Sequence, residues 1–78
     1  MPKIPPLSGR ELLKILERNS CSIVRQSGSH AIVEGELFGK KIKAVIPNTN
    51  KMLAIGTLNS IIKKQLQISR EQFFELIK

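Results

Sequence analysis

Apolar and polar positions change period several times along the 78-residue chain, and each change marks an element. Leu12, Ile15 and Leu16 recur at helical spacing, with Leu13 on the flank of their stripe. The helix they predict opens at Ser8, because Ser8-Gly9-Arg10-Glu11 has the form of a capping box, and fades at Asn19-Ser20. Pro5 and Pro6 disfavour helix before Leu7, so residues 1–7 are expected to form a flexible lead-in. Ser22 to Gln26, carrying Ile23 and Val24, has no helical period and reads as a strand. Ser27-Gly28-Ser29 is a turn cluster, and His30 to Glu34 reads as the second strand of a hairpin. Gly35 to Lys40 reads as a second connection. Lys41 to Ile46 then alternates, with Ile42, Ala44 and Ile46 on one face, and Pro47 ends this third strand. A loop over 48–55 leads through Gly56-Thr57 into a helix whose apolar face is Leu58, Ile61, Ile62 and Leu66. Ser69-Arg70-Glu71-Gln72 is a second capping box, opening a last helix that buries Phe73, Phe74, Leu76 and Ile77. The predicted class is α+β, in the order α-β-β-β-α with an extra C-terminal helix. A three-stranded antiparallel meander with helices on one face buries these stripes economically.

Composition narrows the picture. Length allows a single domain over 1–78, with its core in 8–66 and a C-terminal helix over 69–77. Leu, Ile, Val and Phe form about a third of the residues, above the roughly 20% below which chains stay disordered. One Cys and one His cannot supply four tetrahedral zinc ligands, and Cys21 has no disulfide partner. No apolar run exceeds four residues (Met52 to Ile55), so neither a membrane span nor a signal peptide is expected. A free Cys fits a reducing cytoplasm. With no base beside it in sequence, Cys21 reads as packing or surface rather than as a nucleophile.

Charge adds a direction. Thirteen Lys and Arg against six acidic residues give +7 and a pI near 10.1. Such an excess points to nucleic acid, an acidic partner or an anionic surface, against the plainer reading of a soluble basic domain. Arg10, Lys14 and Arg18 share one line of the first helix, as a solvated face or as contacts to an RNA backbone. Lys63 and Lys64 sit near the end of the second long helix. Without Trp or Tyr the chain is poorly equipped for stacking on single strands, and Phe73 and Phe74 read as core.

Candidate chemistry centres on Gly28-Ser29-His30. His30 follows a tight turn and opens a strand, with Arg25 before it and Lys40, Lys41 and Lys51 on connections expected nearby. An imidazole among cations suits action on a phosphodiester: a base takes the proton of the attacking hydroxyl, and cations stabilise the phosphoryl oxygens. In RNA that hydroxyl is the neighbouring 2′-OH, so no metal is required. Glu34 and Glu36 read as a solvated strand end, and neither a metal site nor a cofactor is expected. From these residues alone, an unemployed surface histidine stands beside the catalytic reading.

Four ordered segments go further. Ser8 to Leu16, the Gly28-Ser29-His30 signature, Ile46-Pro47 followed by Lys51 to Ile62, and Ile68 to Phe73 together resemble the HicA family of toxins. The resemblance spans roughly Ser8 to Ile77. It implies a double-stranded-RNA-binding-domain-like fold, ribonuclease activity on mRNA with His30 catalytic, and a HicB-like antitoxin that covers the His30 site in a hetero-oligomer. Gly28, Ser29 and Lys51 are then the expected active-site support. Arg10, Lys14, Arg25, Lys40, Lys41, Lys63 and Lys64 are the expected RNA contacts. Two departures stand out. Many members carry a second His after the third strand, where this chain has Asn48-Thr49-Asn50, and an aromatic residue after the first helix, where it has Ser20-Cys21. Protonation of the leaving group then falls to a lysine, to water or to His30 itself, with Lys51 as electrostatic help. Two further roles compete: a module that grips structured RNA without cutting it, and an inactive chain that serves to complex its antitoxin.

Overall fold

The computed structural model describes residues 4–77. Ser8 caps α1 (Gly9–Glu17) reciprocally: its hydroxyl accepts from the Glu11 N–H at 3.1 Å, and its own N–H donates to the Glu11 carboxylate at 3.0 Å. The second capping box also forms, with Ser69 and Gln72 exchanging bonds of 2.9 and 3.1 Å ahead of α3 (Arg70–Ile77). Between these helices lie β1 (Cys21–Ser27), β2 (His30–Leu37), β3 (Lys40–Pro47), α2 (Ile55–Ser60) and a π turn over Ile61–Gln65. The strands form one antiparallel sheet in the order β1-β2-β3. The expected α+β architecture, α-β-β-β-α with a C-terminal helix, is the observed one.

The helices cover one face of the sheet. Ala31, Val33 and Leu37 from β2 and Ile42, Ala44 and Ile46 from β3 are buried there against Leu12, Leu16, Leu58, Ile62, Leu66 and Phe73. Residues 1–3, the start of the expected lead-in, and residue 78 lie outside the described residues. The remainder of that lead-in is packed, with Ile4 and Leu7 both buried in the same core.

The largest departures from the sequence reading lie in β2 and in the second long helix. β2 continues to Leu37 instead of stopping at Glu34, because Gly35 is a close-approach residue and not a breaker. A Cβ there would lie 2.5 Å from the Ser20 carbonyl oxygen and 2.6 Å from the Cys21 Cα. The connection over 35–40 therefore shrinks to Phe38-Gly39, both at positive φ (51° and 79°), the pattern of a type I′ turn. The expected single helix over Leu58–Leu66 is α2 followed by the π turn, where the Leu66 N–H bonds the Ile61 carbonyl at 2.9 Å. This wider turn sets Gln65 beside β3, and its side-chain oxygen accepts from the Val45 N–H at 2.8 Å.

The π turn ends with Gln67 at φ 57°, and the Ile68 N–H reaches back to the Ile62 carbonyl at 3.2 Å, a left-handed C-terminal cap. Glycine takes that conformation without the Cβ clash. Gln67→Gly is expected to raise stability by up to about 1 kcal/mol, net of its looser unfolded state. Thermal unfolding checks this; a lower Tm would show that the Gln67 side chain makes good its own strain.

Candidate functional site

His30 is the first residue of β2 and follows directly on the turn Gly28-Ser29. Gly28 holds φ 60° and Ser29 does not share it, as a type II′ hairpin turn requires. Laterally, His30 pairs with Ser27 of β1 and Pro47 of β3. Because Ala31 and Val33 are buried under the helices, His30 lies on the opposite, open face, and it is exposed.

A β-bulge decides which residue of β1 joins it. Ile23 pairs with Val33, but Arg25 pairs with Ile32, so Val24 is the extra residue. Without that insertion Arg25 would share the helix-covered face with Ile23. The bulge shifts the register by one and turns Arg25 to the open face, diagonal to His30.

The loop after β3 ties this end of the sheet to α1. The Asn48 N–H donates to the Ser29 carbonyl at 2.6 Å, and the Arg10 N–H donates to the Thr49 carbonyl at 3.1 Å. Lys51 is held by its N–H to the Thr49 hydroxyl at 3.2 Å, and Leu53 by its N–H to the Leu7 carbonyl at 2.8 Å. Ser8 and Met52 form an isolated bridge. The sites predicted at Gly28, Ser29, His30, Arg25, Lys51 and Arg10 thus converge on one end of the molecule. Lys14 is exposed one turn further along α1, in line with Arg10 and Arg18.

Lys40 and Lys41 do not belong to this group. The register that pairs His30 with Pro47 pairs Leu37 with Lys40. They lie at the opposite end of β2, about 23 Å away at roughly 3.3 Å per residue. Lys63 and Lys64 are exposed on the π turn flanking β3. Asn48 and Thr49, noted in the sequence only for the missing histidine, hold this end mainly through backbone groups, which carry no residue-type signal, and the Thr49 hydroxyl adds the bond to Lys51.

The cations of this end have few carboxylates to neutralise them. Glu11 is engaged by the Ser8 N–H. Glu34 and Glu36 face solvent further along β2; Glu34 meets Lys43 at 3.8 Å in an exposed pair, and Glu36 stands across from Lys41. Among the described residues no three His, Cys, Asp or Glu gather as metal ligands. No helix among them is long and apolar enough to cross a membrane. Cys21 is buried, its thiol directed at the Asn19 carbonyl at 3.7 Å, and burial pushes its pKa up, away from a reactive thiolate.

Two concavities, one along α1 (Leu7, Glu11, Lys14, Ile15, Glu17, Arg18) and one at the Glu36–Lys41 end of the open face, are not lined by His30. The histidine stands on an open surface. Such a position suits a polymer that lies across it better than a small molecule needing enclosure.

Comparison with curated proteins and with solved structures finds no match. A family model described as HicA toxin of bacterial toxin-antitoxin matches residues 9–68. That span opens with the first residue of α1, takes in the whole sheet, the 48–54 loop, α2 and the π turn, and closes at Ile68. Covering most of the chain and every residue brought together around His30, the match establishes that this chain belongs to the HicA toxin family.

Proposed function

We propose that this chain is the toxin of a type II toxin–antitoxin pair and that it cleaves mRNA as an endoribonuclease with His30 as general base. The observation that carries the reading is an exposed imidazole on the open sheet face, inside the family-matched span, with Arg25, Arg10 and Lys51 on the elements tied around it. The imidazole takes the proton of a ribose 2′-hydroxyl. The freed oxygen attacks the adjacent phosphorus, and the bond to the 5′-oxygen of the next nucleotide breaks. That oxygen is protonated by Lys51, by water or by the imidazolium formed in the first half of the step. Arg25 and Arg10 stabilise charge on the phosphoryl oxygens. The nucleophile comes from the substrate, so no metal has to generate one.

The partner in this reading is a HicB-like antitoxin, acidic where it meets the toxin, that covers His30 from the open face and reaches it quickly through charge complementarity. The proposed setting is the cytoplasm, where mRNA and antitoxin are met.

The products test the chemistry. Incubated with mRNA in excess EDTA, the purified protein should leave fragments with 2′,3′-cyclic phosphate and 5′-hydroxyl ends. The latter should accept a labelled phosphate from polynucleotide kinase without prior dephosphorylation. Fragments with 5′-phosphates, or cleavage abolished by EDTA, would refute this mechanism. RNA bound but left intact would favour the binding module instead.

A further inference from the structure

At the far end of the sheet from His30, the β2–β3 turn presents an aromatic residue where the backbone disfavours one. Phe38 sits at φ 51° as the first central residue of the type I′ turn, a position dominated by Asn, Asp and Gly. A bulky side chain in this left-handed region is uncommon. Phe38 is also 49% exposed, whereas Phe73 is fully buried and Phe74 packs against the core. Leu37 beside it, and not Phe38, supplies the buried contact with the core. Strain held at an exposed aromatic points to use outside the chain.

Its neighbours indicate what kind. Gly39 is followed by Lys40 and Lys41, both exposed and, as consecutive strand residues, directed to opposite faces of the tip. An aromatic face flanked by two cations matches an unpaired nucleobase with its phosphates. A protein pocket would call for apolar residues on both sides of the ring, whereas the residues that follow Phe38 are Gly39 and two lysines.

We propose that the Phe38-Gly39-Lys40-Lys41 turn is a second RNA contact, in which a single-stranded base stacks on Phe38 and the flanking phosphates meet Lys40 and Lys41. It rests on the reading of RNA as the substrate and adds to it a length requirement. The tip is about 23 Å from His30, roughly seven nucleotides at 3.4 Å per stacked step. Strands shorter than that engage one site or the other; longer ones engage both. The carboxylates between them do not stand alone, since Glu34 meets Lys43 and Glu36 lies across from Lys41.

The test measures binding of 2′-fluoro RNA single strands, which lack the attacking hydroxyl, at 4 and 14 nucleotides. Phe38→Asn, suited to the left-handed position, should melt a few degrees higher than the wild type yet bind the 14-mer about tenfold more weakly. Its affinity for the 4-mer should fall much less, because the 4-mer still binds at the His30 end. Lys40→Gln and Lys41→Gln should each flatten the salt dependence for the 14-mer by about 0.7 in log–log slope, which Phe38→Asn should not. Because the chain has no Trp or Tyr, Phe38→Trp introduces a sole indole, and its emission should be quenched by the 14-mer. Wild-type protein that binds neither RNA would overturn this proposal together with the proposed function. Wild-type binding with equal affinity in Phe38→Asn, or an unquenched Phe38→Trp, would overturn this proposal alone and leave the ribonuclease reading standing.

Discussion

His30→Ala is expected to cleave RNA at least a hundredfold more slowly than the wild type while keeping its fold and most of its affinity for RNA. A positioned general base contributes about 10²–10⁴ in rate. The rest of the expectation comes from where the residue stands. His30 is exposed, and the fully buried core residues do not include it. Its place in the sheet depends on backbone pairing with Ser27 and Pro47, which alanine retains. Surface changes of this kind shift stability by about 0.5 kcal/mol or less. In the proposed function Arg25, Arg10 and Lys51 are the phosphate contacts, and the substitution leaves all three in place. Single-turnover cleavage with matched thermal melts separates the two effects. A loss below about tenfold with an intact fold would remove His30 from the role of base; a collapsed melt would show that it is structural.

Gly9→Ala should have the largest effect on stability. The added Cβ would overlap the Pro47 carbonyl oxygen and lie 2.8 Å from the Pro47 carbonyl carbon. Both are main-chain atoms at the end of β3, so no rotamer change relieves the contact. α1 would have to withdraw from the sheet, breaking the bond between the Arg10 N–H and the Thr49 carbonyl. Overpacking typically costs about 1–3 kcal/mol and more where backbone must shift. A loss of about 3 kcal/mol would lower Tm by more than about 10 °C in a domain of this size. Gly56→Ala is the control: nothing lies within 4 Å of a Cβ there and the glycine is helical, so it should gain up to about 1 kcal/mol. Equal melting temperatures for the two variants would refute the close-approach reading. Because the same loop joins Ser29 to α1, Gly9→Ala should also disturb the setting of Arg10 and Lys51 around His30.

What the sequence disclosed was governed by local rules. Both capping boxes, the helical stripe at Leu12, Ile15 and Leu16, and the alternation through Ile42, Ala44 and Ile46 follow from neighbours within a few positions, and all of them form. Gly35 misled because a glycine that breaks a strand and one that admits a neighbouring strand are the same letter. That shortened β2 on paper and drew Lys40 and Lys41 towards His30, whereas the two-residue turn carries them to the other end. Arg25 lies near His30 only through the bulge at Val24, a register event no local pattern announces. The bonds from Asn48 to Ser29 and from Arg10 to Thr49 join backbone groups across the fold, so residue identity carries no trace of them.

The bond between Gln65 and Val45 has a consequence for how copies of this protein meet. Along an antiparallel edge, alternate residues offer their N–H outward. On the free side of β3, Val45 is occupied by the Gln65 amide, and two residues on Pro47 has no N–H to offer. Lys41 and Lys43, exposed on the same strand, set like charges against any approaching copy. At these positions the β3 edge gives a second copy of the chain nothing to pair with, so the sheet is guarded against lengthening on that side.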